Sequence, residues 1–177
     1  RDHCVTGVQT CALPIFAFLS VLHLRESLGL RGQWHTYLMK QHFEQSVNET
    51  EHLEIMESRG GNAYWIDRFL ARHLVLVYYW INVVYYWLSP RAAYHLSYEI
   101  EIHAMETYGK YLSEVDASDI DICSVMNDEM HHAQELYEAM RIIDPDRLTV
   151  REKDRKPFPP DVSDLDSVTL VSSVEQK

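Results

Sequence analysis

Three acidic and two imidazole side chains occupy positions where a folded chain ordinarily places hydrocarbon. In the stretch 118–143, Ile122, Val125, Glu129, His132, Leu136, Met140 and Ile143 recur at helical spacing and form one stripe. That stripe is predicted to face a core, yet Glu129 and His132 stand at its middle. Burying an unpaired carboxylate is costly even after relaxation, so something positive must lie opposite. The stretch 90–112 repeats the pattern with Tyr94, Tyr98, Glu101, Met105 and Tyr108. A third stretch, 33–59, adds Glu49 and His52 three positions apart. Such residues lie about 60° apart around a helix and one turn apart along it, so both can reach one centre. His42, Gln45 and Met56 share that face.

The elements that carry these groups can be set side by side. A short connection, 113–118, joins the last two stretches and predicts antiparallel neighbours. Glu101 lies about 16 Å before that turn and Glu129 about 15 Å after it, at 1.5 Å per residue. The two carboxylates are therefore expected at one depth, where like charges repel unless a cation lies between them. Two Glu-x-x-His pairs with a carboxylate from another helix resemble the ligand set of a di-iron carboxylate bundle, whose oxygen and imidazole donors suit iron. Neither pair carries much weight singly. Their placement on separate helices, with Glu101 at matching depth, carries the assignment. The alternative is buried ion pairing among Glu, His and Arg.

The rest of the chain reads as helix. Phe16–Leu28 ends at Gly29, Gln33–Arg59 at Gly60-Gly61, and Tyr64–Leu88 at Ser89-Pro90. Pro90 suits the first turn of the next helix. Ser118 is expected to cap the last, with Asp121 in its third position. Residues 144–177 lack periodicity and read as a flexible tail. The net charge of −11 on 177 residues excludes a nucleic-acid backbone as partner. The aromatic segment Tyr78–Trp87 has two readings, a membrane interface and a buried bundle helix; Leu74–Leu88, with Asn82 inside, is too short to span a bilayer, and the buried helix is preferred. Phe16–Leu28, with Arg25 and Arg31 at its end, is the better candidate for lying in one leaflet, or for a dimer interface. The stretch Val5–Ile15 resembles the translation of a common short-read sequencing adapter. Residues 1–15 are accordingly set apart from the fold, which leaves Cys123 as the single cysteine, read as an inert thiol.

The motifs resemble one family closely. Phe16-Ala17-Phe18-Leu19-Ser20-Val21-Leu22-His23, Asn48-Glu49-Thr50-Glu51-His52-Leu53, Gly60-Gly61-Asn62 and Asp67-Arg68-Phe69-Leu70-Ala71 resemble the plastid terminal oxidase branch of the alternative oxidases. So do Ser89-Pro90-Arg91-Ala92-Ala93-Tyr94-His95, His103-Ala104-Met105-Glu106-Thr107-Tyr108 and Asn127-Asp128-Glu129-Met130-His131-His132. The resemblance covers residues 16–143. It implies an all-α fold: a ferritin-like four-helix di-iron bundle of monotopic membrane type, here with its first helix truncated. It also implies a quinol:oxygen oxidoreductase that passes electrons from two quinols to O2, giving two quinones and two waters. The cofactors are two non-haem Fe ions. The partners are plastoquinol or ubiquinol, O2, a membrane surface and a second copy of the chain. The implied location is the thylakoid membrane of the chloroplast. By motif, Glu49 and Glu129 bridge the irons, Glu101 is a terminal ligand, and His52 and His132 are ligands or close partners. Tyr108 matches a redox tyrosine, Thr107 a residue of the quinol pocket, and Asp128 a carboxylate that orients a ligand.

Two departures bear on activity. The family places a Glu fifteen residues before the His of Val-Leu-His, which here is Val8; Glu26 is no substitute. An Arg of the quinol pocket is also missing upstream, and the segment from Tyr108 to Glu129 is short. The chain as written is therefore expected to bind iron poorly and to be inactive. Two alternatives stand beside this reading: a mitochondrial-type ubiquinol oxidase, and a non-catalytic membrane-bound bundle with a decayed metal site.

Overall fold

A computed structural model describes residues 3–61 and 65–143. They form five helices: α1 (His3–Ser27), α2 (His35–Met56), α3 (Trp65–Leu88), α4 (Pro90–Glu114) and α5 (Ile120–Ile143). No strand occurs among the described residues. The tail set apart at 144–177 and the predicted helix start at Tyr64 lie outside them.

Helix ends follow local chemistry. Gly29 adopts φ 72°, and the Leu30 and Gly29 amides bond back to Arg25 and Glu26 carbonyls, which closes α1. Beyond Met56 the chain makes one wider turn, Glu57–Gly61, stopped by Gly60 at φ 89°. Ser89 caps α4 through the Ala92 amide, with Pro90 in the first turn as expected. The cap of α5 differs from the expectation. Asp119, not Ser118, accepts from the Ile122 amide at 3.2 Å, because Ser118 is turned to Asp116.

α4 and α5 pack along their length as the short connection requires, while α1 packs on α2 and α3. Two apolar clusters result. One gathers Phe18, Leu38, Tyr86, Tyr94, Leu136 and Met140; the other holds Met56, Tyr108, Leu112, Ile122 and Val125. On α2, α4 and α5 alike, a buried carboxylate falls between the residues of the two clusters. The carboxylates thus lie between the two clusters.

Two readings of the sequence change here. Residues 3–15, set apart from the fold, form the N-terminal half of α1, and Cys11 and Ile15 are buried. The spacing of Cys11, Ile15, Phe18 and Leu22 continues one helical stripe. The aromatic segment is not a buried helix. Within Tyr78–Trp87 only Asn82 and Tyr86 are buried, whereas Trp80, Ile81, Val84, Tyr85 and Trp87 are exposed. α3 is largely apolar and packs chiefly on α1 and α4, so its remaining sides meet no other described helix. No helix among the described residues is long and apolar enough to cross a membrane.

Candidate metal centre

Three helices bring the predicted residues together. Glu49 from α2, Glu101 from α4, and Glu129 and His132 from α5 each offer a donor atom within 4.8 Å of the others. The three carboxylates are at most 1 % exposed. None of their six oxygens makes a well-formed hydrogen bond, although His132 Nδ1 lies 3.1 Å from Glu49 Oε1. Six orphaned carboxylate oxygens in a closed core are what bound cations satisfy.

His52 stands beside this group. Its Nδ1 is 3.6 Å from Glu129 Oε1 and 3.9 Å from Glu49 Oε2, and its Nε2 is 3.1 Å from Asp128 Oδ2. Asp128 also receives Asn48 Nδ2 at 3.4 Å. A carboxylate on one ring nitrogen fixes the tautomer and aims the other nitrogen at the centre. The electrostatics describe a site short of positive charge. Burial, then the charges of Glu129 and Glu49, push Glu101 well above the usual carboxylate range. Burial also raises Glu49, offset in part by His132. Burial acts in the same direction on Glu129, but His132, His52 and Glu101 outweigh it and hold it low. His132 is lifted to about 10, because Glu129 and Glu49 overcome the effect of its burial. A protonated His132 thus stands where a cation neutralises the same oxygens.

The remaining predicted residues lie further out. Tyr108 is buried in the cluster with Met56 and Leu112. Thr107 is exposed and donates to the His103 carbonyl. Glu26 is engaged with Arg31 and His35. His42 belongs to a separate polar group treated below. One neighbour was missed with the stretch set apart. Cys11 is buried beside the carboxylates, and burial with the charges of Glu101, Glu129 and Glu49 pushes its thiol well above the ordinary range. The helical stripe through Cys11 was the signal that could have found it.

The family model described as alternative oxidase matches residues 4–140. This chain belongs to the alternative oxidase family. Over 102 residues it is 52 % identical to ubiquinol oxidase 4, chloroplastic/chromoplastic, of Arabidopsis thaliana. That alignment covers 56 % of this chain and 28 % of the relative, so the chain spans well under half of that protein. The similarity agrees with the plastid branch that the motifs of this alternative oxidase resemble. The family match begins inside the stretch set apart from the fold. No solved structure matches the chain.

Proposed function

We propose that this chain carries the helical core of a plastid-type quinol:oxygen oxidoreductase, with two non-haem irons held by Glu49, His52, Glu101, Glu129 and His132. The observation that carries the reading is the set of buried, unsatisfied carboxylate oxygens beside two imidazoles. Oxygen and nitrogen donors of this kind suit iron. When bound, the irons supply the redox chemistry that takes four electrons from two quinols to O2. Glu49, Glu101 and Glu129 would hold the irons through their carboxylate oxygens, with His52 and His132 supplying nitrogen. His132 gives up its proton on metal binding, since a ligating imidazole must be neutral. Asp128 holds His52 in the orientation that presents Nδ1. Tyr108 passes electrons from the quinol side, and Thr107 contacts the quinol. The apolar sides of α3, with exposed Phe16, Leu24 and Leu28 on and just beyond α1, support attachment to a membrane surface. Thylakoid membranes and plastoquinol are the corresponding location and substrate.

Val8 sets the limit on this chain. A hydrocarbon side chain at that position ligates nothing, so the chain as written holds iron weakly and is inactive. This favours a second reading, a membrane-bound bundle with a decayed centre. Iron content and cyanide-insensitive quinol oxidation should be compared in the chain as written, in Val8→Glu and in Val8→Glu with Glu101→Ala. Iron rising towards two per chain in Val8→Glu, and lost with Glu101→Ala, is the expected result. Absence of iron from all three sinks the oxidase reading and leaves the decayed centre.

A further inference from the structure

A second polar group lies in the core, two helical turns from the candidate metal centre. His42 precedes Glu49 by seven residues on α2, and Tyr94 precedes Glu101 by seven on α4. Both therefore sit about 10 Å along their helices from the carboxylates. Neither is exposed. His42 Nε2 is 2.7 Å from Tyr94 Oη, which is 2.7 Å from Tyr86 Oη. On the other side of the ring, Gln45 Oε1 is 3.1 Å from His42 Nδ1, and Gln45 Nε2 donates to Glu135 Oε2 at 2.7 Å. Phe18 stacks on Tyr86 and meets Tyr94 edge-on, which shields the phenols with hydrocarbon.

One end of this chain assigns its hydrogens. Gln45 Nε2 donates to Glu135 Oε2, so the amide oxygen is the atom that faces His42. Nδ1 therefore carries the His42 proton, and the Nε2 lone pair accepts from the Tyr94 hydroxyl. The Tyr94 oxygen then accepts from Tyr86. Burial lowers His42 to about 4, so the ring is neutral at physiological pH. A buried phenol bonded to a neutral imidazole can lose an electron without stranding a proton in an apolar medium.

We propose that Tyr94 is a redox-active tyrosine with His42 as its proton acceptor. A strong one-electron oxidant takes one electron from the phenol. The Tyr94 O–H bond breaks, an N–H bond forms at His42 Nε2, and a neutral tyrosyl radical faces an imidazolium. The Tyr86 hydroxyl continues to donate to the radical oxygen. Re-reduction returns one electron to Tyr94, and the proton moves back from His42. Tyr86 also lines a cleft of about 680 Å³ with Arg25, Trp34, Trp87 and Arg91, where a small reductant can approach. In a chain that carries its full set of metal ligands the oxidant would be the oxygen-reducing centre of the proposed function, and in that respect alone the inference rests on it.

The test supplies its own oxidant. Metal-free full-length chain is photo-oxidised with a flash-generated ruthenium(III) tris-bipyridine complex, and deuterated tyrosine identifies the radical by electron paramagnetic resonance. The unsubstituted chain should give a long-lived neutral tyrosyl signal. Tyr94→Phe, which removes one oxygen from the core, should shorten its lifetime by about tenfold or more. His42→Leu, checked for retained helicity, should do the same and abolish the solvent isotope effect on radical formation. No long-lived signal, or one that survives in Tyr94→Phe or in folded His42→Leu, overturns the proposal. Because no iron or quinol is present, failure here leaves the oxidase reading standing, and loss of that reading leaves the radical measurement valid.

Discussion

Asp128 shows how a single side chain outside the cluster can govern it. It lies 3.1 Å from His52 Nε2, on the side of the ring away from the Nδ1 that faces Glu49 and Glu129. Removal of such an orienting partner typically costs about 10–100-fold in metal affinity. Asp128→Ala in the Val8→Glu background is therefore expected to weaken Fe(II) or Co(II) binding by that factor, while Asp128→Asn retains most of it. Anaerobic titration calorimetry measures both. Equal affinity in all three chains would show that His52 is oriented by something else. The role of Asp128 could be placed in the sequence only through the motif it shares with Glu129. Nothing in the periodicity says that a residue one position from the stripe bonds across to another helix.

Helices meet through their ends as well as their faces. Asp119 caps α5 and also takes both guanidinium nitrogens of Arg59, at the wide turn that ends α2. Arg59 reaches Asp121 at 2.7 Å as well. These hydrogen bonds, chiefly from Arg59, hold the Asp119 carboxyl down at about 2 against an ordinary 3.8. The lowered value means that the stabilisation is full above about pH 4 and is lost as pH falls through about 2. Asp119→Ala should cost about 1 kcal/mol at neutral pH. Urea melts should show the gap between the two chains narrowing from pH 4 to pH 2. A gap that persists unchanged in acid would mean that the capping charge contributes nothing. The helices themselves were legible because helical periodicity is local. The cap was placed one residue early because Ser118 and Asp119 are both good caps, and what separates them is the turn of Ser118 to Asp116 and the reach of Arg59 to Asp119.

Across the molecule, apolar surface is distributed unevenly. Trp65, Phe69, Leu74, Leu76, Val77, Trp80, Ile81, Val84 and Leu88 are all exposed on α3. Exposed hydrocarbon on this scale marks an interaction surface. Trp80→Asp with Ile81→Asp should reduce partitioning into zwitterionic lipid vesicles by at least about tenfold, or ~1.4 kcal/mol. Sedimentation of vesicle-bound against free protein reports it, with helicity as the control. Partitioning that is unchanged would show that this face of α3 makes no contact with lipid.

Amino-acid order alone was enough to put Glu49, Glu101 and Glu129 on core-facing stripes, and to set the last two at one depth, because a regular helix of known rise converts spacing into direction and height. Whether those stripes converge is a matter of how the helices rotate and pack. That packing gathered four donors within 4.8 Å, left His42 two turns away against Tyr94, and turned most of α3 outward. It also drew Cys11 in beside the carboxylates. These outcomes depend on contacts between residues far apart in the chain, which local periodicity does not encode.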